Sequence, residues 1–282
     1  MINDVKLVKR NLRKDRIFVG IISVFSLLCV VPLIVILYFI FVNGASSINW
    51  NLFTHDGGIG EEGAGILHAI IGTTEITLLA SLIAIPVGIL AGVWMAENTR
   101  GKFSGFARIV VDVMQGVPSV VLGMVVSIWI VKPFQSFSAF SGSVALAIMM
   151  LPVVIKNTEE TLKLVPGSIK EAAYALGLPY HRIILKIVLP CGLSGILTGV
   201  LVAVARIAGE TAPLIFTAFG ANYVNLNIFK PMETIPGIIY KSYTFYGEGA
   251  SVAWGASFVL VIFVLTINLI AKVVINRWKV KF

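Results

Sequence analysis

Three ionisable side chains, Glu75, Arg206 and Glu210, lie deep inside long apolar runs. A charge left facing lipid at the centre of a membrane helix costs about 2.5–3.5 kcal/mol, so such groups are expected to face protein or water and to handle a charged species. Arg206 and Glu210 belong to the stretch Arg206-Ile-Ala-Gly-Glu210-Thr211-Ala-Pro213. A guanidinium attracts an anion, and a nearby carboxylate keeps that anion from binding too tightly to be released. Arg206, Glu210, Thr211 and Glu75 are therefore the candidate translocation residues. An ion pair that only locks segments together accounts for the same residue types, although base before acid is the poorer i,i+4 order on a helix. At about 1.5 Å per residue, Arg206 falls near the middle of its run, with Glu210 and Glu75 roughly 8 and 9 Å outward of their run centres. That spacing allows all three to share one outer-half cavity.

A second constellation is Glu171-Ala172-Ala173-Tyr-Ala-Leu-Gly177-Leu178, followed after Lys186 by Ile187-Val-Leu-Pro190. An acid suits the first turn of a helix, where the dipole favours it. The alanines leave room for a partner's surface, and Gly177 permits a sharp helix-ending turn. The expectation is two short helices with a bend over residues 167–190, a compact knob whose contact residues are Glu171, Ala172, Ala173, Gly177 and Leu178.

Nothing in the sequence points to catalysis. There is no Gly-rich loop leading into Lys-Ser or Lys-Thr, and Arg100-Gly-Lys-Phe lacks both the glycine spacing and the hydroxyl for Mg²⁺. No metal-ligand spacing or nucleophile elbow occurs, and Cys29 and Cys191 stand far apart without a redox motif. No cofactor, metal or catalytic residue is expected. His55, Asp56, Glu61 and Glu62 share a polar loop and read as solvated charge.

The elements that position these groups follow from composition. Hydrophobic residues make up 57% of the 282 and charged ones only 13%, about half the charge of a soluble domain. A soluble enzyme, a disordered chain and a secreted disulfide scaffold are excluded. The net charge of +8 belongs to the ends of apolar segments, the signature of bilayer orientation rather than of nucleic-acid binding. A helix needs about 20 apolar residues to span the hydrocarbon. The runs Phe18–Val42, Ile66–Ala96, Ile109–Val131, Cys191–Phe219 and Ser251–Ile275 meet that, and Ser143–Ile155 is a shorter sixth. With six spans, 18 of the 22 Lys and Arg residues fall on the side of both termini and of the loop from Lys156 to Lys186, against Lys132, Lys230 and Lys241 on the other. That asymmetry places both termini and the knob in the cytoplasm. The expected organisation is a basic cytoplasmic N-terminus over 1–17, a first transmembrane helix over 18–42, five further spans within 66–275 and a cytoplasmic tail over 276–282. Glycine pairs at 88 and 92 and at 195 and 199 are expected to let helices approach closely.

The segment from Glu171 to Pro190 resembles the EAA loop of ABC-importer permeases, every fixed position of that pattern being present. Within those permeases, Arg206 to Pro213 and Gln115-Gly-Val-Pro118-Ser are similar to the A-type permease subunits of phosphate importers. The resemblance runs through nearly the whole chain. It implies an all-α integral membrane protein of the type I ABC importer permease fold, whose knob docks into a cytoplasmic ATPase. It further implies a homologous C-type permease beside the chain, a dimeric ABC ATPase below and an extracytoplasmic phosphate-binding protein above. Membrane lipid surrounds such a protein, in the cytoplasmic (inner) membrane of a prokaryote. Other readings open at this point are a permease for sulfate or molybdate, an ion-coupled transporter or channel, and a scaffold reporting phosphate status.

Overall fold

The computed structural model describes residues 2–57, 65–246 and 251–278. Glu61, Glu62 and the tail beyond residue 278 lie outside the described residues. The regular elements among the described residues are all helices: α1 (Ile2–Ser46), α2 (Trp50–Thr54), α3 (Leu67–Glu97), α4 (Lys102–Gly116), α5 (Ser119–Val126), α6 (Lys132–Phe134), α7 (Ala139–Lys163), α8 (Gly167–Ala175), α9 (Tyr180–Ile183), α10 (Leu189–Ile207), α11 (Ala212–Ile215), α12 (Ile235–Tyr246) and α13 (Ser251–Trp278). π-helical turns join α5 to α6 and α9 to α10. Among the described residues, five helices are long and apolar enough to cross a bilayer, or six with α4 and α5–α6 taken as one bent span.

The centre of the bundle is α3 packed parallel to α7. Gly88 faces Val154 and Gly92 faces Thr158, a constant offset, and a Cβ on Gly92 would stand 2.6 Å from that of Thr158. Glycine is required there by the approach of the neighbour, as the paired spacing predicts. α10 runs antiparallel to α7, with Gly192 on Leu162 and Gly199 on Asn157, and Asn157 Nδ2 donates to the Gly195 carbonyl at 3.1 Å.

Three spans differ from the expectation. α7 extends from 139 to 163, well beyond the run Ser143–Ile155, because Ser141, Gly142, Ser143, Ala145, Ala147, Thr158 and Glu159 are buried against neighbouring helices. Protein rather than lipid surrounds these residues, so hydropathy undercounts the helix. The span Ile109–Val131 is broken by a 103° bend between Gly116 and Ser119. Pro118 has no N–H and disfavours helical angles at Val117, which sits at φ −71°, ψ 127°. The helix through α9 and α10 covers Tyr180–Ile207 rather than Cys191–Phe219. It stops short of Pro213, whose ring would clash with the carbonyl four residues back in a continued helix.

α8 lies at one end of the bundle, the motif end. At the opposite end, segment 216–234 caps α7: Ser138 N–H donates to the Thr217 carbonyl at 3.0 Å, Ala139 to Lys230 at 3.0 Å and Phe140 to Ile228 at 2.8 Å. These are donors a helix start leaves unpaired. Leu52, Ile66, Ala69, Ile235, Ile238 and Ala256 form a second apolar cluster at that end. Asp56 accepts the Val224 N–H at 3.0 Å, so it is a loop tie rather than only solvated charge. From Lys14 to Val42, α1 is exposed over nearly its whole length. It meets α13 near its end, where the Phe41 and Phe258 rings stand edge to face at 5.1 Å.

Candidate functional site

At the motif end, α8 starts directly after Pro166, which takes φ −58° and ψ 134°. Glu171 is therefore the fifth residue of α8 and not in its first turn, a correction to the sequence expectation: the proline, with its fixed φ, opens the helix one turn earlier. Glu171 and Ala172 are exposed, whereas Ala173 is 4% exposed and joins the main core with Leu162, Ile183 and Ile184. The helix ends in a Schellman turn. Leu178 N–H donates to the Ala173 carbonyl at 3.3 Å and Gly177 N–H to that of Tyr174 at 2.9 Å. Gly177 holds φ +74° with no atom within 4 Å of where a Cβ would stand. Backbone angle, not crowding, selects glycine here. Leu178 then packs on the core. The second arm is not a separate short helix: α9 passes through the π turn into α10. The knob is thus a nine-residue helix folded back on the start of a long one.

Glu97, the last residue of α3, holds both arms of this knob. Lys170 Nζ of α8 donates to its Oε1 and the Tyr180 hydroxyl of α9 to its Oε2 at 3.5 Å. Sequence reasoning missed this acid, and the chain gives no signal for it, since Lys170 is 73 residues away. Arg108 of α4 ties the same corner together. Its Nε meets Glu159 of α7 at 2.6 Å, and its Nη2 donates to the Met95 carbonyl at 2.8 Å and its Nη1 to that of Thr99 at 3.2 Å. Lys163 also pairs with Glu159, at 2.6 Å, and Lys156 with Asp112, at 2.7 Å. The Gln115 amide approaches the Pro152 carbonyl at 3.4 Å.

Arg206 occupies the last turn of α10, and Glu210 lies beyond that helix. The two are not i,i+4 neighbours on one helix. Continuing the α7–α10 register puts Arg206 opposite Met149 and Met150, close to the middle of α7. The helix therefore breaks at mid-bundle, and non-helical backbone at membrane depth is tolerated where protein buries it or water lines it. Arg206 is exposed in this chain, and Glu75 and Glu210 are half-buried. Among the described residues, neither a hydrogen bond nor an ion pair engages the side chains of Arg206, Glu210 or Glu75. By register, Glu75 stands opposite Ser141, near the end of α7 remote from the motif. Thr211 borders a small gap with Phe219, Glu233, Thr234 and Gly237. Glu233, 3% exposed, pairs with Lys241, whose ammonium also lies 4.1 Å from the centre of the Phe219 ring. Burial holds the Glu233 carboxyl above its usual range, with Lys241 opposing that shift.

The family described as binding-protein-dependent transport system inner membrane component matches residues 88–279. A phosphate transport system permease protein PstA of Xylella fastidiosa (strain 9a5c) is 40% identical over 240 residues, covering 84% of each chain. PstA 1 of Mycobacterium tuberculosis (strain CDC 1551 / Oshkosh) is 36% identical over 251 residues, 86% of this chain and 83% of that one. Among solved structures, an inward-facing MetNI methionine ABC transporter aligns with a TM-score of 0.66 at 18% identity, over 76% of this chain and 96% of the other. An amino acid ABC transporter aligns at 0.57 and 16% identity, over 75% and 92%. These last two bear on the fold, which is that of type I ABC importer permeases. From the match over 88–279 and the extended likeness to its relatives, the chain belongs to the binding-protein-dependent inner-membrane transport components and, within them, to the PstA permease family.

Proposed function

We propose that this chain is the permease subunit through which an ATP-driven importer passes inorganic phosphate inward by alternating access. The observation that carries this reading is the knob itself, a hydrogen-bonded turn with exposed Glu171 and Ala172 on one end of the membrane bundle. A self-contained transporter has no use for such a contact, whereas a separate motor needs one. The partners are a homologous C-type permease against the face that exposes Arg206, a dimeric ATPase at the knob, and a phosphate-binding protein on the opposite side. ATP hydrolysis belongs to the ATPase subunit. The relatives named as phosphate permeases support phosphate as the substrate, and Arg206 supplies the cation an oxyanion needs.

Liposomes holding this chain alone are expected to show neither ATP hydrolysis nor [³²P]phosphate uptake. The complex co-purified with its ATPase is expected to show both once the binding protein is added. Uptake by the single chain identifies an ion-coupled carrier instead. Competition by sulfate or molybdate as effective as unlabelled phosphate moves the substrate assignment to another oxyanion.

The proposed orientation puts both termini and the knob in the cytoplasm of a prokaryotic cell, on the strength of the 18-to-3 distribution of basic residues. Ser168 is exposed on the knob helix α8, while Gly57 lies at the other end of the bundle. In intact cells, an impermeant thiol reagent is expected to label Gly57→Cys and to spare Ser168→Cys. The reverse pattern inverts the topology.

A further inference from the structure

We infer that Glu97 is a positioning residue for coupling: its carboxylate clamps both arms of the α8–α9 knob to the end of α3, so that knob displacement moves α3 instead of being absorbed at the turn. The inference rests on reading the knob as the ATPase contact.

Three features carry it. First, one side chain meets two arms. Lys170 lies on α8 before the Schellman turn and Tyr180 opens the helix after it, and each finds a different oxygen of Glu97. A salt bridge that merely stabilised α8 would need only the first. Second, the Lys170 arm of the clamp is sheltered, while the Tyr180 arm lies at the surface. The Glu97 side chain is 12% exposed and that of Lys170 25%, so solvent screens their ion pair less than a surface pair. Third, the clamp sits where motion can be passed on. α3 runs 31 residues from Leu67 to Glu97, about 46 Å at 1.5 Å per residue. Along that length it packs in register on α7 through Gly88 and Gly92. Arg108 fastens its last turn to α4 and, through Glu159, to α7. A displacement entering at Glu97 therefore reaches a packed pair of helices, which respond by shifting between arrangements instead of deforming smoothly. Glu75 lies on the same helix, 22 residues along, so knob and membrane-depth group are ends of one element.

Without Glu97, the knob keeps its apolar seat through Ala173 and Leu178 but loses its polar link to α3. Assembly then survives while transmission weakens, and this is the distinction the test uses. In proteoliposomes of the complete complex with binding protein, phosphate taken up per ATP hydrolysed is measured for the native chain, Glu97→Gln and Tyr180→Phe. Glu97→Gln is expected to lower that ratio about tenfold with basal ATPase retained, and Tyr180→Phe to lower it two- to threefold. The double exchange Glu97→Lys with Lys170→Glu is expected to recover part of the loss. An unchanged ratio in Glu97→Gln overturns the inference, as does a variant whose only defect is reduced yield of complex. If the native complex itself fails to link ATP hydrolysis to phosphate uptake, the functional reading fails rather than the role of Glu97.

Discussion

Gly177→Val is expected to cut ATP-driven uptake severely while leaving the membrane bundle folded. At φ +74°, a β-branched residue carries a backbone strain of about 1–3 kcal/mol. At about 1.4 kcal/mol per factor of ten, the native turn loses roughly 5- to 150-fold in population against rearranged ones. The space around Gly177 is empty, so the valine relieves its strain by unwinding the Schellman turn rather than by displacing the core. The Leu178–Ala173 and Gly177–Tyr174 hydrogen bonds are then lost, and the knob no longer presents a fixed shape. Because conformation and not volume sets the requirement, the effect should grade as Val, then Ala, then Asn, the last of which tolerates a left-handed angle best. ATPase stimulation by the binding protein, measured in the assembled complex, is the readout. Equal, native-like stimulation in all three variants would falsify a coupling role for the turn.

The parts of this architecture that depend on local chemistry are legible in the sequence. α3 follows from a long, mainly apolar run, and its observed limits lie one residue from those expected at each end. Gly177 reads correctly as the turn because a helix-ending left-handed residue is a property of a few neighbouring positions. Ile109–Val131 reads as one run, and no local rule separates Pro118, where the chain bends by 103°, from Pro86 and Pro152 inside continuous helices. α7 reads too short because hydropathy scores lipid contact, while Ser141, Ser143 and Thr158 are wrapped in protein. Glu171 falls outside the first turn because Pro166, not the acid, decides where α8 begins. The Glu97 clamp and the Arg108–Glu159 pair join residues 73 and 51 positions apart, and single-sequence periodicity holds no information about such pairings. Arg206 and Glu210 stand out because charge in an apolar run is costly wherever it occurs. That Glu210 lies beyond the helix follows only from knowing where Pro213 stops it.

The same break gives Arg206→Gln the second large expected effect. A lock between Arg206 and Glu210 requires the two to meet within this chain. Yet α10 ends between them, no ion pair joins them among the described residues, and the guanidinium side is exposed at mid-bundle depth. An arginine at that depth with no partner among the described residues is stable only against water or another protein, which is where the proposed translocation pathway and the proposed C-type permease lie. The glutamine variant keeps the shape and some hydrogen-bonding capacity but removes the charge. A hydrogen bond to a charged group contributes about 1.5–3 kcal/mol, so loss of the one made to a passing oxyanion slows uptake roughly 10- to 150-fold. Because, among the described residues, no hydrogen bond or ion pair ties Arg206 to another side chain, assembly and ATPase activity should survive. Initial rates of [³²P]phosphate uptake in the reconstituted complex, beside its yield and basal ATPase, separate the alternatives. Native uptake removes Arg206 from the pathway. Loss of assembly assigns it instead to the contact with the neighbouring permease.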